Sequence, residues 1–184
     1  AEKILLMTMI RNIIFDFGGV LLDWNPRYLY REYFHDDAKM EWFLANVCNA
    51  DWNIQQDAGR PFSEAVSLLE KKYPEWAEPI RMYDKYWYKM LKCELPGSID
   101  LLKELKGRGY GIYGLTNWSS EKIGYAFENY SFFKLFDGIV VSGEEKVAKP
   151  DPRIYRILLD RYGLAAGECV FIDDNQDNVN AAKA

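Results

Sequence analysis

Asn12-Ile13-Ile14-Phe15-Asp16-Phe17-Gly18-Gly19-Val20 is the stretch on which the fold turns. Ile13-Ile14-Phe15 reads as a short buried strand, and the glycine pair after Asp16 as the turn that ends it. Three more apolar runs end in, or lie just upstream of, polar residues. Tyr110 to Leu115 leads into Thr116-Asn117, Ile139-Val140-Val141 lies upstream of Lys149-Pro150, and Val170-Phe171-Ile172 leads into Asp173-Asp174.

Helical texture separates these runs. Ser98 to Lys106 carries Ile99, Leu101, Leu102 and Leu105 at helical spacing and stops at Gly107 and Gly109. Ser119 to Asn129 is predicted as a helix capped by Ser119 or Ser120. Pro152 to Tyr162 is predicted as another, with Asp151 as N-cap and Gly163 as stop. Strands alternating with helices predict an α/β fold, a Rossmann-like parallel sheet flanked by helices. In such a sheet the carboxyl ends of the strands share one edge, where ligands bind. Asp16, Thr116, Lys149 and the Asp173-Asp174 pair would meet there.

From about Asn25 to Lys92 no strand pattern is visible, and Leu29, Tyr33, Phe34, Met40, Phe43, Leu44, Leu68, Leu69, Met82 and Met90 recur at three- and four-residue spacings. The organisation expected is a core of residues 9–24 and 93–184 with an inserted all-α cap over 25–92. Asp23 to Pro26 and Pro96-Gly97 read as its two hinges. Trp42, Trp52, Trp76 and Trp87 in this span either line a pocket or fill the core of a small helical bundle.

Taken in order, Asp16-Phe17-Gly18-Gly19, Thr116-Asn117, Lys149-Pro150 and Asp173-Asp174 resemble the motifs of the haloacid dehalogenase superfamily, and the resemblance runs from Ile13 to the end of the chain. It implies an aspartate nucleophile, Asp16, that forms an aspartyl-phosphate later hydrolysed by water. It implies Mg²⁺ held by Asp16, the Gly18 carbonyl and Asp174, with Asp173 a weaker candidate. Phosphate donors would come from Thr116, Asn117, Lys149 and the backbone N–H groups of Phe17 and Gly18. The helical span resembles the cap of the subgroup that includes sugar-phosphate phosphatases and haloacid dehalogenases.

Most phosphatases of that superfamily carry a second aspartate two residues after the nucleophile, and this chain has Gly18. General acid–base help is typically worth about 10²–10⁴ in rate, so its source is left open. The run Asp173-Asp174-Asn175-Gln176-Asp177-Asn178 together with Gly18 resembles the branch of α-glucose-1-phosphate phosphatases, whose leaving group needs less protonation. The expected reaction is Mg²⁺-dependent hydrolysis of a small phosphorylated metabolite such as a sugar phosphate. Two alternatives stand beside it. A 2-haloacid dehalogenase would use the same aspartate on carbon, without metal, and usually has tyrosine at the position of Gly18. A catalytically silent binding module would explain the missing acid, but not the retention of the other site residues. A protein kinase is excluded, because only fifteen residues precede Asp16-Phe17-Gly18.

Composition limits the rest. At 184 residues and 49% apolar, the chain can bury a real core. A net charge of -5 argues against nucleic-acid or anionic-membrane partners, which select a basic face. Cys48, Cys93 and Cys169 are odd in number and not closely paired, which fits a reducing cytoplasm and neither disulfides nor zinc. His35 reads as a helix-end or loop residue. Ile4 to Ile10 is too short to span a bilayer, and residues before about Met9 read either as a vector-derived tail or as an extension of the first strand. The final helix from Val179 reads as stopped in mid-run, with a further strand expected beyond Ala184. A monomer or weak homodimer is expected.

Overall fold

The reason Ile13, Ile14 and Phe15 form a buried strand is that both of its faces are covered. Side chains alternate across a strand. Ile13 and Phe15 join a core with Ile99, Leu102, Ile112 and Phe133, while Ile14 joins a second with Leu115, Val140, Ile154 and Leu158. A computed structural model describes residues 9–184. The residues before Met9, and with them most of the Ile4 to Ile10 stretch, lie outside the described residues.

Six strands are present among them: β1 (Asn12–Phe15), β2 (Leu22–Trp24), β3 (Leu91–Glu94), β4 (Gly111–Thr116), β5 (Gly138–Val141) and β6 (Cys169–Ile172). Four make one parallel sheet in the order β5-β4-β1-β6. The chain steps outward from β1 through β4 to β5, then returns to pair β6 on the other side of β1. That reversal puts the crevice of the sheet at the carboxyl end of β1, which is where Asp16 stands.

The helices are α1 (Arg27–Phe34), α2 (Asp37–Asn46), α3 (Ala50–Asp57), α4 (Phe62–Lys72), α5 (Ala77–Lys85), α6 (Pro96–Gly107), α7 (Ile123–Asn129), α8 (Ser142–Glu145), α9 (Pro152–Tyr162) and α10 (Gln176–Lys183). α9 follows its sequence signals to the residue: Asp151 accepts the Arg153 N–H, and Gly163 closes the helix at φ 62°. α7 starts later than expected, at Ile123, because Ser119 spends its hydroxyl on Glu121 N–H in a preceding turn. His35 ends α1 at φ 51°. α1 to α5 pack around Tyr30, Met40, Phe43, Ile80 and Tyr83, all buried.

One feature departs from the expected strand-free insertion. β2 and β3 pair antiparallel, so the chain leaves the sheet and returns to it through one two-stranded ribbon, whose second strand opens at Leu91, inside the span expected to be helical. Leu95 N–H extends the pairing to Leu21 O at 2.8 Å. The helical span also touches the core at polar points. Ser142 Oγ donates to the Asp57 carbonyl, Phe62 N–H donates to Glu121 Oε2 at 3.1 Å, and Lys122 pairs with Asp84.

Candidate active site

Asp16 follows the last residue of β1 and keeps the strand's pairing through its N–H to Ile172 O at 2.8 Å. The chain then folds back on itself: the Phe17 carbonyl accepts from Leu21 and Leu22 N–H, and Gly19, at φ 78°, donates to Leu22 O. A side chain at Gly19 would strike the Asp174 carboxylate, so glycine is what allows the β1 and β6 loops to close together. The Phe17 ring is wholly buried against Phe133, Phe136 and Trp118, and its N–H is taken by Asp16 Oδ1 at 2.7 Å. The donor expected from Phe17 is thus already in use. Among the described residues the Gly18 N–H has no backbone partner.

Lys149 ties three strand ends together. Its fully buried Nζ donates to Leu115 O on β4 at 2.8 Å and to Asp173 Oδ2 beyond β6 at 2.6 Å, and lies 3.0 Å from Asp16 Oδ1 beyond β1. Asn117 holds the Lys149 backbone at both ends, with Oδ1 accepting its N–H at 2.8 Å and Nδ2 donating to its carbonyl at 2.9 Å. An amide nitrogen has two hydrogens, so one is left for a ligand. Asp173 is the expected metal ligand that the geometry occupies otherwise. Its oxygens already accept from Lys149, Asn175 N–H and Asn178 Nδ2. Asp174 is exposed, and among the described residues no hydrogen-bond donor reaches its carboxylate.

Six polar groups test what the site awaits. Asp16, Asp173 and Asp174 each offer a carboxylate oxygen within 4.8 Å of the others, a spacing that suits a hard divalent cation. With Lys149 counted, these groups sum to two net negative charges. Among the described residues, Thr116 Oγ1, at the end of β4, is buried without a partner, as are the indole N–H groups of Trp24 and Trp118. Buried donors are rarely left unpaired in the absence of a ligand.

A cavity of about 230 Å³ joins these parts, lined by Asp16, Gly18, Gly19, Asn117 and Asp174 on the sheet side and by Trp24, Asn53, Asp57, Trp87 and Trp118 around them. Of the four tryptophans weighed as pocket lining, Trp87 alone reaches this cavity. Trp42 and Trp76 stack on each other, and Trp52 packs edge-on against Tyr83. A second cavity of about 440 Å³ lies inside the helical span, walled by Leu44, Ala45, Cys48 and Ile54 and sharing Trp24, Asn53 and Asp57 with the first. Asp57 escaped the sequence reading because Gln55-Gln56-Asp57 looks like an ordinary solvated helix end.

Burial dominates the electrostatics. It pushes Asp16 up to about 6 against the pull of Lys149, and Asp57 up to about 7 against a hydrogen bond from the Ser119 backbone. A carboxyl raised on folding binds its proton more tightly in the native state, so stability falls as pH rises from the unfolded value near 3.8 to the folded one. The metal-free protein is therefore expected to lose stability between about pH 4 and pH 7, by a few kcal/mol, on the order of 5–10 °C in melting temperature. A thermal melt series that rises across this window would contradict the placement of both carboxyls.

A parallel sheet with a buried aspartate, its lysine and an acid pair gathered at the switch point defines a class, the hydrolases built on a Rossmann-like core. A family model described as haloacid dehalogenase-like hydrolase matches residues 10–184, and the chain belongs to that family. Sesquiterpene phosphatase astK of Aspergillus oryzae is 30% identical over 179 residues, spanning 96% of this chain and 87% of that protein. (S)-2-haloacid dehalogenase 1 of Pseudomonas sp. (strain CBS-3) is 28% identical over 195 residues, spanning 97% and 82%. A haloacid dehalogenase family enzyme of Bacteroides thetaiotaomicron, solved as a magnesium complex, shares the fold with a TM-score of 0.72 at 24% identity, over 95% of this chain and 88% of that one.

Proposed function

We propose that the protein is a Mg²⁺-dependent phosphomonoester hydrolase acting on a small phosphorylated metabolite. Asp16 attacks phosphorus and carries the phosphoryl group as an aspartyl-phosphate, which water then cleaves. The observation that carries this reading is the buried Asp16, set at the switch point of the sheet, bridged to Lys149 and lining one cavity with a free Asp174 carboxylate. A carboxylate attacking an anionic phosphate must have its charge screened. Lys149 does half of this by neutralising Asp16 from behind. Mg²⁺, held by Asp16, the Gly18 carbonyl and Asp174, would supply the rest by drawing charge from the phosphoryl oxygens. Thr116 Oγ1, the Gly18 N–H and the spare Asn117 hydrogen are the donors suited to those oxygens.

The helical span, residues 25–92 with its ribbon at the base, acts as a lid that excludes water while the acyl-phosphate exists. A sugar phosphate fits the smaller cavity. The aliphatic wall of the larger one, Leu44, Ala45 and Ile54, favours a leaving group with apolar surface, so an alkyl or prenyl phosphate belongs beside the sugar phosphates in any screen.

Phosphate release from such a panel, dependent on Mg²⁺, is the test. Halide release from a 2-haloacid in EDTA, with no phosphate release, would replace this reading with the dehalogenase one. In calorimetry, Asp174→Ala should weaken Mg²⁺ binding at least tenfold, whereas Asp36→Ala, at the exposed cap of α2, should leave it unchanged. Equal affinity in both variants would remove Asp174 from the metal site.

A further inference from the structure

We propose that Asp57, at the last turn of α3, is the general acid and base of this site, giving a proton to the leaving oxygen and later taking one from the attacking water. The inference rests on the phosphatase reading above.

The geometry that carries it is the boundary between the two cavities. The smaller holds Asp16, Asn117 and Asp174, where the phosphoryl group must sit, and the larger lies among the side chains of the helical span. The bond that breaks joins one to the other, so the leaving oxygen lies where the cavities meet. Only Trp24, Asn53 and Asp57 line both. Trp24 offers an indole N–H and Asn53 an amide, neither of which exchanges a proton near neutral pH. Asp57 is the one acid at that boundary.

The other carboxyls of the site are engaged or misplaced. Asp16 is the nucleophile, Asp173 is held by Lys149, Asn175 and Asn178, and Asp174 stands on the sheet side against Gly19. Gly18 has no side chain to contribute.

Asp57 is also held in place for the role. Asn53 Nδ2 donates to Asp57 Oδ2 at 3.1 Å, Asn53 Oδ1 is fixed in turn by the Tyr83 hydroxyl at 3.0 Å, and the Asp57 carbonyl accepts from Ser142 Oγ on the core. Burial and the nearby Asp16 charge favour its protonated form, with a pKa of about 7, so both protonation states are populated near neutrality.

The proton and electron accounts close. In the first half, an Asp16 oxygen forms a bond to phosphorus as the bond to the leaving oxygen breaks, and that oxygen takes the Asp57 proton to depart as an alcohol. In the second, the Asp57 carboxylate takes a proton from water while the water oxygen bonds to phosphorus. The bond to Asp16 breaks, and inorganic phosphate, Asp16 carboxylate and protonated Asp57 result.

The test is a series of aryl and alkyl phosphates of rising leaving-group pKa, turned over by wild type, Asp57→Asn, Asp57→Glu and Asp51→Asn. Asp51 is exposed on the same helix and serves as the control. For Asp57→Asn the loss in kcat/KM should grow along the series, from under tenfold on a dinitrophenyl phosphate to about 10²–10⁴-fold on an alkyl phosphate. Asp57→Glu should recover part of the alkyl activity, and Asp51→Asn should follow wild type throughout. The dinitrophenyl ester needs no acid, so its turnover also reports that the variant is folded. A uniform loss along the whole series, or none, would overturn the role of Asp57 while leaving the phosphatase reading intact. Absence of turnover by wild type on every ester would overturn both.

Discussion

Replacing Asp16 by asparagine should abolish turnover, by on the order of 10³-fold or more, and leave the fold intact. The amide keeps the shape of the carboxyl and an oxygen to accept the Phe17 N–H, which Asp16 Oδ1 accepts at 2.7 Å. It lacks the charge and lone-pair availability of a nucleophile. Lys149 loses one of its two anions and retains Asp173 and the Leu115 carbonyl. Because burial works against the Asp16 charge, the variant is expected to melt no lower than wild type at pH 8. Activity within tenfold of wild type would refute Asp16 as nucleophile. A variant that is inactive but also unfolded would be answered by the melt recorded on the same preparation.

Lys149→Met should fail in both respects. Its ammonium is fully buried between Asp16 and Asp173, so its removal leaves two carboxylates facing each other without a cation. Deleting one partner of a buried pair costs about 3–5 kcal/mol. For a chain of this size that corresponds to a fall of roughly 10 °C or more in melting temperature. Turnover should drop by at least about 10²-fold, since the nucleophile's charge is no longer balanced behind the phosphate. The cause can be isolated with a double-mutant cycle: Lys149→Met in an Asp173→Asn background should destabilise by much less than in wild type. Additive losses would mean that Lys149 stabilises through packing of its methylenes rather than through charge.

Much of this was readable in advance, for definite reasons. β1, β4 and β5 are covered on both faces, and β6, at the sheet edge with Val170 exposed, is half-buried, so the apolar runs are unbroken and their carboxyl ends are marked by the first polar residue. Asp151 and Gly163 bracket α9 because capping chemistry is local. β2 and β3 were not readable. At three and four residues, with Asp23, Lys92 and Glu94 in them, they are held by pairing with each other across most of the helical span. The site divides the same way. Asp16, Thr116, Lys149 and Asp174 sit where strands deliver them, while the engagement of Asn117 and Asp173 with Lys149 needed coordinates. Asp57 was invisible because nothing in its own neighbourhood of sequence distinguishes it. Its surroundings are made by α5, by the turn after β4 and by α8.

The contacts that hold the helical span against the core are part apolar, with Trp87 packed on Trp118 and Tyr88 beside Tyr125, and part polar, and under the proposed lid reading the polar part is what water and salt can loosen. The Ser142 hydroxyl on the Asp57 carbonyl, Glu121 on the Phe62 N–H, and Lys122 on Asp84 are all bonds that water can replace one at a time. Each is worth about 0.5–1.5 kcal/mol net, so the three together favour the shut arrangement by roughly tenfold to two-thousandfold. In the proposed phosphatase cycle such a bias would keep bulk water from the acyl-phosphate while still yielding on about the microsecond to millisecond scale. On that reading, product escape should quicken with ionic strength, since the Lys122 and Asp84 charges are the part of the fastening that salt weakens.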